Sequence, residues 1–307
     1  MNLAGKYDKG CQEWPVTLPD MKPLQGKIAV VAGSSRGAGR GIALAIGDAG
    51  ATVYVAARTS RHGPKPADGA PGTVEDTGEE VCARGGQGIP VRADLGNEEE
   101  GATLFRRVEE EHGRLDLMVD SAWGATIAEW SEPFWELSAG IWRDTAATID
   151  AAWLTSVHAA RIMVKQRRGL LIHVTDNIHS DVSAYRGQIL WDLGHEFLNR
   201  LIADMSRELQ KSKVAMVGLN PGFMRTERVL RHMTTEALKK QFRFDLSESV
   251  EYIGRAAAAL AADPKALRKT GQLLWAAELA KEYGFTYVDG RVIPLFDPNA
   301  PPQPYPC

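Results

Sequence analysis

The sequence has few cysteines and no marked excess of charge of either sign. Its three cysteines are widely spaced along 307 residues, which predicts neither a disulfide framework nor a metal-ligand cluster. A net charge of −3 and a pI near 6.2 give no support to a nucleic-acid partner or a polybasic membrane site. No apolar run approaches the ~20 residues of a membrane helix, and the N-terminus has no apolar signal core. We therefore expect a cytoplasmic protein with a small-molecule substrate.

The remaining composition is ordinary for a globular protein. Hydrophobic residues make up 44% and charged residues 24% of the chain, so it can bury a sizeable core. Residues 1–24 carry several prolines among polar residues and are interpreted as an N-terminal arm. Residues 25–292 are predicted to form one domain, and 293–307 a proline-rich C-terminal tail.

A glycine-rich turn between an apolar run and a helical pattern organises the chain. The run Ile28–Val31 stops at Gly33, and Gly37 and Gly39 complete a G-x-x-x-G-x-G spacing. Glycines permit a tight turn and let backbone N–H groups approach a phosphate at the start of a helix. The turn therefore predicts a dinucleotide site.

Strand and helix patterns alternate through the domain, which predicts a single-domain, Rossmann-type α/β fold with a doubly wound parallel sheet and helices on both faces. The predicted strands are 28–32, 51–58, 88–93, 115–124, 170–175 and 213–218. The predicted helices are 38–49, 74–84, 97–112, 138–166, 188–211, 234–242 and 247–262.

The end of the second predicted strand bears on which dinucleotide binds. A carboxylate there would select a free 2′-hydroxyl, whereas arginine suits a 2′-phosphate. The sequence has Arg58 and Thr59 at this point and no acid, and Arg36 in the glycine turn adds a second cation. These residues favour NADP(H) over NAD(H), although both arginines would also serve as solvated surface charges. Arg61 and Lys65, in the long loop that follows, could reach the same phosphate, or the loop could be a flexible insertion.

Several motifs, in order, resemble those of the short-chain dehydrogenase/reductase family over most of residues 24–292. The segment 32–43 resembles its cofactor turn, DSAWG at 120–124 lies where the family has Asn-Asn-Ala-Gly, and NPGFMRTE at 220–227 resembles its Pro-Gly stretch. The resemblance implies the same Rossmann-type fold, a nicotinamide cofactor and assembly into a homo-oligomer, either a dimer or a tetramer. The residues that it implies for cofactor binding are Gly33, Ser35, Arg36, Gly37, Gly39, Arg58, Thr59, Asp94, Leu95, Ser121, Ala122, His195, Pro221, Gly222 and Thr226.

The family's catalytic Asn, Ser, Tyr and Lys are all replaced. The chain contains no Tyr-x-x-x-Lys, and alignment from residues 206–209 places Trp191 at the Tyr position and His195 at the Lys position. Asp176 lies where a catalytic Ser is expected, and no asparagine occurs near the remaining position, at Ile149 or Asp150. The resemblance thus supports cofactor binding, while the reaction has to be argued from the replacements.

The replacements suggest a catalytic set of Asp176, His195, Trp191 and Tyr185. The Trp191 indole only donates and cannot transfer a proton, but it can stack on a substrate. His195 lies one helical turn away, and with Asp176 it could form an acid–base pair. Alternatively, Asp176 caps a helix or a loop, and His195 either contacts a ribose or is a packing residue. Tyr185, in the preceding loop, could supply a relocated phenol.

A metal site is not expected. His173, Asp176, His179 and Asp181 are close in sequence, but His173 lies inside a predicted strand and the set lacks cysteine and a helical H-x-x-x-H spacing.

Tryptophan is concentrated after the fourth predicted strand. Trp123 and Trp130 could line a pocket for a bulky or flat substrate, together with Trp191 and Phe223. The alternative is that these tryptophans, with Trp135, Trp142 and Trp153, pack helix 138–166 against its neighbours or a second subunit.

Three functions stay open on the sequence alone. The first is an atypical NADP(H)-dependent oxidoreductase, possible because hydride transfer needs a bound cofactor more than a particular acid. Reduction of C=N would suit the loss of Tyr better than reduction of C=O. The second is a non-redox cyclase, dehydratase or isomerase that uses Asp176 and His195. The third is a catalytically inactive nucleotide-binding protein.

Overall fold

A seven-stranded parallel sheet forms the centre of the molecule. The computed structural model describes residues 22–63, 66, 69–123, 132–176, 188–241 and 244–293. The strand order is β3-β2-β1-β4-β5-β6-β7, and every neighbouring pair is parallel. The strands are β1 (Ile28–Ala32), β2 (Thr52–Ala57), β3 (Gln87–Arg92), β4 (Leu117–Asp120), β5 (Gly169–Val174), β6 (Val214–Asn220) and β7 (Leu273–Trp275).

Helices cover both faces of this sheet, as the alternating pattern predicts. Their bounds are α1 (Gly37–Asp48), α2 (Val74–Ala83), α3 (Glu98–His112), α4 (Ala139–Gln166), α5 (Ile189–Gln210), α6 (Glu227–His232), α7 (Glu236–Gln241), α8 (Val250–Ala262) and α9 (Ala276–Tyr283). Two short 3-10 helices, Phe244–Leu246 and Ala266–Lys269, complete the described elements. The predicted Rossmann-type α/β class is confirmed.

The sheet divides the core into two layers. Successive side chains of β1 point to opposite faces, so Ala29 and Val31 join one apolar cluster while Ile28 and Val30 join the other. The first cluster packs under α1, α8 and α9, and the second under α3, α4 and α5. Burial on both faces explains why the central strands are continuous apolar runs rather than alternating ones.

Helices α1 and α8 cross at backbone contact distance. A Cβ added to Gly41 would lie 1.9 Å from the Val250 carbonyl oxygen, and one added to Gly254 would lie 2.4 Å from the Gly41 oxygen. Glycine at both positions therefore allows this crossing, which fixes the direction in which α1 leaves the glycine turn.

The structure corrects several predicted elements. The strand predicted at 115–124 is only Leu117–Asp120, because the chain leaves the sheet where Asp120 accepts a hydrogen bond from the Ala122 amide. The helix predicted at 247–262 begins at Val250, because Glu248 pairs with Met224 in a β-bridge. Helix α6, strand β7 and helix α9 were not predicted, since each is eight residues or fewer and gives only a short pattern in the sequence.

The predicted terminal segments lie largely outside the described residues. Residues 1–21 and 294–307 are not described, and Leu24, at the end of the predicted arm, is buried in the core at 2% exposure. Within the described ranges no helix combines the length and apolar character that crossing a bilayer requires.

Candidate active site and cofactor cleft

The turn between β1 and α1 is a cradle that only glycine fits. Gly33 has a φ of +71°, and a Cβ there would lie 2.5 Å from the Ser121 carbonyl oxygen. A Cβ on Gly39 would lie 2.4 Å from the Gly33 oxygen. Ser34 and Ser35 are buried within the turn, and the Ser34 hydroxyl donates to the Val31 carbonyl at 2.7 Å. The close approach of backbone to backbone is what a phosphate cradle needs.

Gly37 keeps an open face toward the cleft. Its φ is +57°, and the nearest atom to an added Cβ is the Thr226 methyl at 3.8 Å. The Gly37 amide, in the first turn of α1, donates to the Glu227 carboxylate at 2.9 Å. This amide thus already holds an anionic oxygen, and the cradle fits the diphosphate of a dinucleotide.

The predicted adenosine end of the cleft lies at the end of β2. Arg58 is exposed there, and Thr59 is half-buried. The Arg36 guanidinium donates to the carbonyls of Pro71 and Gly72 at 3.1 and 2.9 Å, which ties the glycine turn to the following loop. Arg61 instead binds Asp76 and Glu79 of α2, and Lys65 lies outside the described residues.

The ends of β3 and β4 carry the other predicted cofactor contacts. Asp94 is half-buried, and its Oδ1 accepts from the Gly96 amide at 3.2 Å, while Leu95 is buried. Ser121 and Ala122 follow β4 directly, and Ser121 forms the wall against which Gly33 packs. These residues therefore border the same edge of the sheet as the glycine turn.

Asp176 and Trp191 form a direct contact at the carboxyl end of β5. The Trp191 indole Nε1–H donates to Asp176 Oδ2 at 3.0 Å. Gln188 begins α5 as its N-cap and accepts the Trp191 amide at 2.5 Å, so the indole is held at the first turn of the helix. Asp176 and Trp191 thus form one hydrogen-bonded pair.

His195 has a defined tautomer beside this pair. Its Nδ1 lies 2.9 Å from the Trp191 carbonyl oxygen, which only accepts, so Nδ1 carries a proton. In the neutral ring Nε2 then holds the lone pair. His195 is 4% exposed because the Trp123 ring stacks on it, with centroids 4.2 Å apart and planes at 22°.

Trp123 joins this cluster from the end of β4. Its ring centroid lies 5.0 Å from that of Trp191, and within the described part of the protein its buried indole N–H has no acceptor. A Cβ on Gly194 would lie 2.8 Å from the Trp123 ring, so glycine at this position allows the ring to pack against α5. Trp123 therefore packs against Trp191 and His195, and its predicted role in lining a substrate pocket stays a prediction.

A buried polar network lies behind the cluster. His173 Nε2 is 2.8 Å from the Ser156 hydroxyl, and His173 Nδ1 is 3.6 Å from Asp120 Oδ2. Thr155 also donates to Asp120 Oδ2, at 3.2 Å. Burial lowers the pKa of His173, and the Asp120 carboxylate opposes that shift. With all of these side chains nearly inaccessible, the network is structural.

No metal-binding group occurs among the residues that the structure describes. His173 points into the network with Asp120, while His179 and Asp181 lie outside the described residues. Tyr185 and Trp130 also lie outside them, so their predicted roles stay predictions.

Asn220 connects the Pro-Gly stretch to Asp176. Its Nδ2 donates to the Asp176 carbonyl at 2.9 Å, and its Oδ1 accepts the Gly222 amide at 2.9 Å. Pro221 is buried, and the Phe223 ring meets Phe244 edge-on at 6.4 Å. The stretch predicted to border nicotinamide is therefore fixed relative to the Asp176 backbone.

Glu248 is a buried acid beneath the Pro-Gly stretch. It is 2% exposed, its Oε1 has no hydrogen-bond partner in the described structure, and Oε2 lies 3.8 Å from the position of a Cβ on Gly222. Burial raises the pKa of this carboxyl well above the ordinary value of 4.5. Burial therefore favours the protonated form of Glu248.

Replacing Glu248 by Gln is expected to flatten the pH dependence of stability. Above about pH 4.5 the unfolded chain releases this proton while the folded chain keeps it. The free energy of unfolding therefore falls as pH rises, by up to about 1.4 kcal/mol per pH unit, until the folded-state pKa is passed. Urea unfolding at pH values between about 5 and 8 measures this slope.

Glu208→Gln, at an exposed position on α5, is the control for that experiment and should keep the wild-type slope. An unchanged slope in Glu248→Gln would show that the buried carboxyl does not titrate in this range.

Three residues that contact or border the predicted site residues were not themselves predicted. Asn220, Glu227 and Glu248 act through contacts with segments distant in sequence, up to 190 positions in the case of Glu227 and Gly37. The NPGFMRTE motif contains two of them, but nothing in its spacing indicates which side chains turn inward.

Comparison with known proteins defines the class. The family model described as short chain dehydrogenase matches residues 27–237. Dehydrogenase/reductase SDR family member 1 of Mus musculus is 36% identical over 283 residues, covering 88% of this chain and 86% of that protein. The chain therefore belongs to the short-chain dehydrogenase/reductase family, a family of oxidoreductases.

Solved structures have the same fold. A hydroxysteroid dehydrogenase from Escherichia coli superposes with a TM-score of 0.66 at 22% identity, covering 84% of this chain and 98% of that one. A metagenomic short-chain oxidoreductase in complex with NADP gives a TM-score of 0.62 at 22% identity, covering 80% and 94%.

Proposed function

We propose that the protein is an atypical NADP(H)-dependent oxidoreductase that reduces a C=N or C=O bond of a bulky or aromatic small molecule. The observation that carries this proposal is the glycine cradle, which opens at the same sheet edge as Asp176, Trp191 and His195. One structural neighbour was solved with NADP, which supports the same class of cofactor here. The bound dinucleotide would supply the hydride.

The residues present suit a dinucleotide along the whole cleft. The Gly37 amide and the Thr226 side chain would face the diphosphate, and Ser121 and Ala122 would border the ribose beside nicotinamide. His195 replaces the family's ribose-binding Lys. Its burial under Trp123 means that its contact with a ribose would require the Trp123 ring to shift.

The replacements favour C=N over C=O as the reduced bond. A ketone needs a proton on oxygen, and the Trp191 indole N–H is not acidic enough to provide one. An iminium carries its positive charge before hydride arrives, and the Asp176 carboxylate and the indole faces would stabilise that charge. Trp123 supplies a further N–H donor and flat surface for an aromatic substrate.

Arg58 is expected to set the preference for NADP(H). A guanidinium at this strand end pairs with a 2′-phosphate, so Arg58→Ala should weaken NADPH binding by about tenfold or more and leave NADH binding nearly unchanged. Titration of each cofactor against wild type and variant measures the ratio. Arg106→Ala, at an exposed position on α3, is the control. Equal loss for both cofactors would contradict a role in 2′-phosphate recognition.

A non-redox reaction on Asp176 and His195 is the second candidate. It is favoured by the His195 tautomer, which places a lone pair on Nε2 and so gives the ring the form of a general base. Substrate turnover without NADPH consumption, lost in His195→Gln and Asp176→Asn, would support it. If nucleotide binds but neither reaction occurs with any substrate, the third possibility, an inactive nucleotide-binding protein, is favoured.

Subunit association through α4 and α5 is the expected assembly. Trp142 and Trp153 on α4 are about half exposed, at 51% and 50%, and Leu193 on α5 is 51% exposed. If these side chains form one contiguous apolar patch, a second subunit would cover it. A homo-oligomer in the cytoplasm is therefore part of the proposal, and light scattering of the purified protein tests the oligomer.

A further inference from the structure

A carboxylate of the protein occupies the first amide of the phosphate cradle. Gly37 N–H donates to Glu227 Oε2 at 2.9 Å, although the residues are 190 positions apart. The residue at the N-cap of α1, Arg36, makes no side-chain cap. First-turn amides of a helix have no partner within the helix and carry partial positive charge, so they attract an anion. The Glu227 carboxylate, which is distant in sequence, provides this anion.

The segment that carries Glu227 is held across the cleft. Glu227 is the first residue of α6, and the Thr226 hydroxyl caps that helix by accepting the Val229 amide at 3.3 Å. Arg231, also on α6, donates to the Gly69 carbonyl at 2.5 Å. Helix α6 therefore reaches both the glycine turn and the loop that borders the adenosine end.

We propose that Glu227 is an internal competitor for the cofactor's diphosphate, a role that rests on the proposed function. The Gly37 amide has one hydrogen to donate, so a phosphate oxygen and the Glu227 carboxylate cannot both take it. A phosphate oxygen beside the Gly37 amide would also lie close to the Glu227 carboxylate, and the two negative charges would repel each other. Cofactor binding must therefore release Glu227 and shift the start of α6, which lowers the apparent affinity and favours release of the spent cofactor.

The test compares NADPH affinity in Glu227→Gln, Glu227→Ala and wild type by calorimetric titration. Both variants remove the competing charge and should bind NADPH about tenfold more tightly. The difference should shrink at high salt, because the repulsion between carboxylate and diphosphate is screened. Adenosine 2′-monophosphate, which has no diphosphate, should bind all three proteins equally.

Thermal unfolding gives a second readout that does not depend on catalysis. Glu227→Ala leaves the Gly37 amide without its acceptor, so the ligand-free variant should melt below wild type. Saturating NADPH should then raise its Tm more than it raises that of wild type. Glu236→Gln changes the first residue of α7, where the carboxylate pairs only locally with Lys239, and should behave as wild type in both measurements.

The outcomes separate the two proposals. If wild type binds NADPH and Glu227→Gln binds it equally or more weakly, the competitor role is overturned while the proposed function stands. If tighter NADPH binding is matched by equally tighter binding of adenosine 2′-monophosphate, the competitor role is also overturned, because the effect does not involve the diphosphate. If wild type and both variants bind no NADPH, the proposed function fails and the competitor role fails with it.

Discussion

Replacing Asp176 by Asn is expected to lower kcat/KM for the reduced substrate by about a hundredfold or more. Asparagine keeps an oxygen that accepts the Trp191 indole N–H, so the geometry of the pair is preserved while the negative charge is lost. The Kd for NADPH should change little, since the Gly37 amide rather than this carboxylate would face the diphosphate. Steady-state kinetics and a cofactor titration on the same protein measure both effects.

Asp204→Asn is the matched control for that variant. Asp204 lies half-buried on α5 and pairs with Arg200 at 2.7 Å, so its loss should leave kcat/KM within about twofold. Activity of Asp176→Asn at the wild-type level would contradict the role assigned to the carboxylate.

The same variant separates charge stabilisation from proton donation. An N-alkylated iminium needs no proton, whereas a ketone needs one. If Asp176 acts through its charge, the defect of Asp176→Asn persists with the iminium. A defect confined to ketones would show that the carboxyl group works as an acid, which contradicts the preference for C=N.

Replacing Gly41 by Ala is expected to destabilise the fold by about 3 kcal/mol or more. The added Cβ would lie 1.9 Å from the Val250 carbonyl oxygen, and because this atom is backbone, α1 and α8 must separate. Their separation opens the first core cluster and displaces the start of α1, so cofactor affinity should fall as well. Urea unfolding and NADPH titration measure the two effects.

Gly140→Ala is the control for Gly41→Ala. Gly140 lies exposed in the first turn of α4, and a Cβ there meets only the Ser138 side chain at 3.4 Å. Its stability should match or slightly exceed that of wild type, because alanine favours a helix by up to about 1 kcal/mol over glycine. A loss of unfolding free energy in Gly41→Ala no larger than that in Gly140→Ala would mean that α1 and α8 can separate without destabilising the fold.

The glycine turn shows what the sequence predicts well. A strand, a G-x-x-x-G-x-G spacing and a helix follow one another within a few residues, and the local backbone chemistry of glycine determines the outcome. The structure places Gly33, Gly37 and Gly39 in a cradle, as predicted. Trp191 and His195 were likewise placed on one helical face by their spacing alone, and their rings lie 4.5 Å apart.

The contacts between distant segments could not be predicted in this way. The Asp176–Trp191 hydrogen bond joins a strand end to a helix start, and the Glu227–Gly37 contact joins α6 to α1. Neither contact gives a periodic pattern in the sequence, because each depends on which distant segments the fold brings together. Helix α6 was not predicted for the same reason. It has only six residues and depends on tertiary contacts, so it gives no amphipathic pattern in the sequence.

Transfer of hydride label from NADPH distinguishes a redox reaction from a non-redox one. NADPH deuterated at the hydride-donating carbon is incubated with the protein and a panel of aromatic imines, iminium salts and ketones, and the products are analysed by mass spectrometry. We expect one deuterium in the reduced product for each NADPH oxidised, with imines and iminium salts favoured. Turnover of a substrate without NADPH oxidation or deuterium incorporation would contradict it.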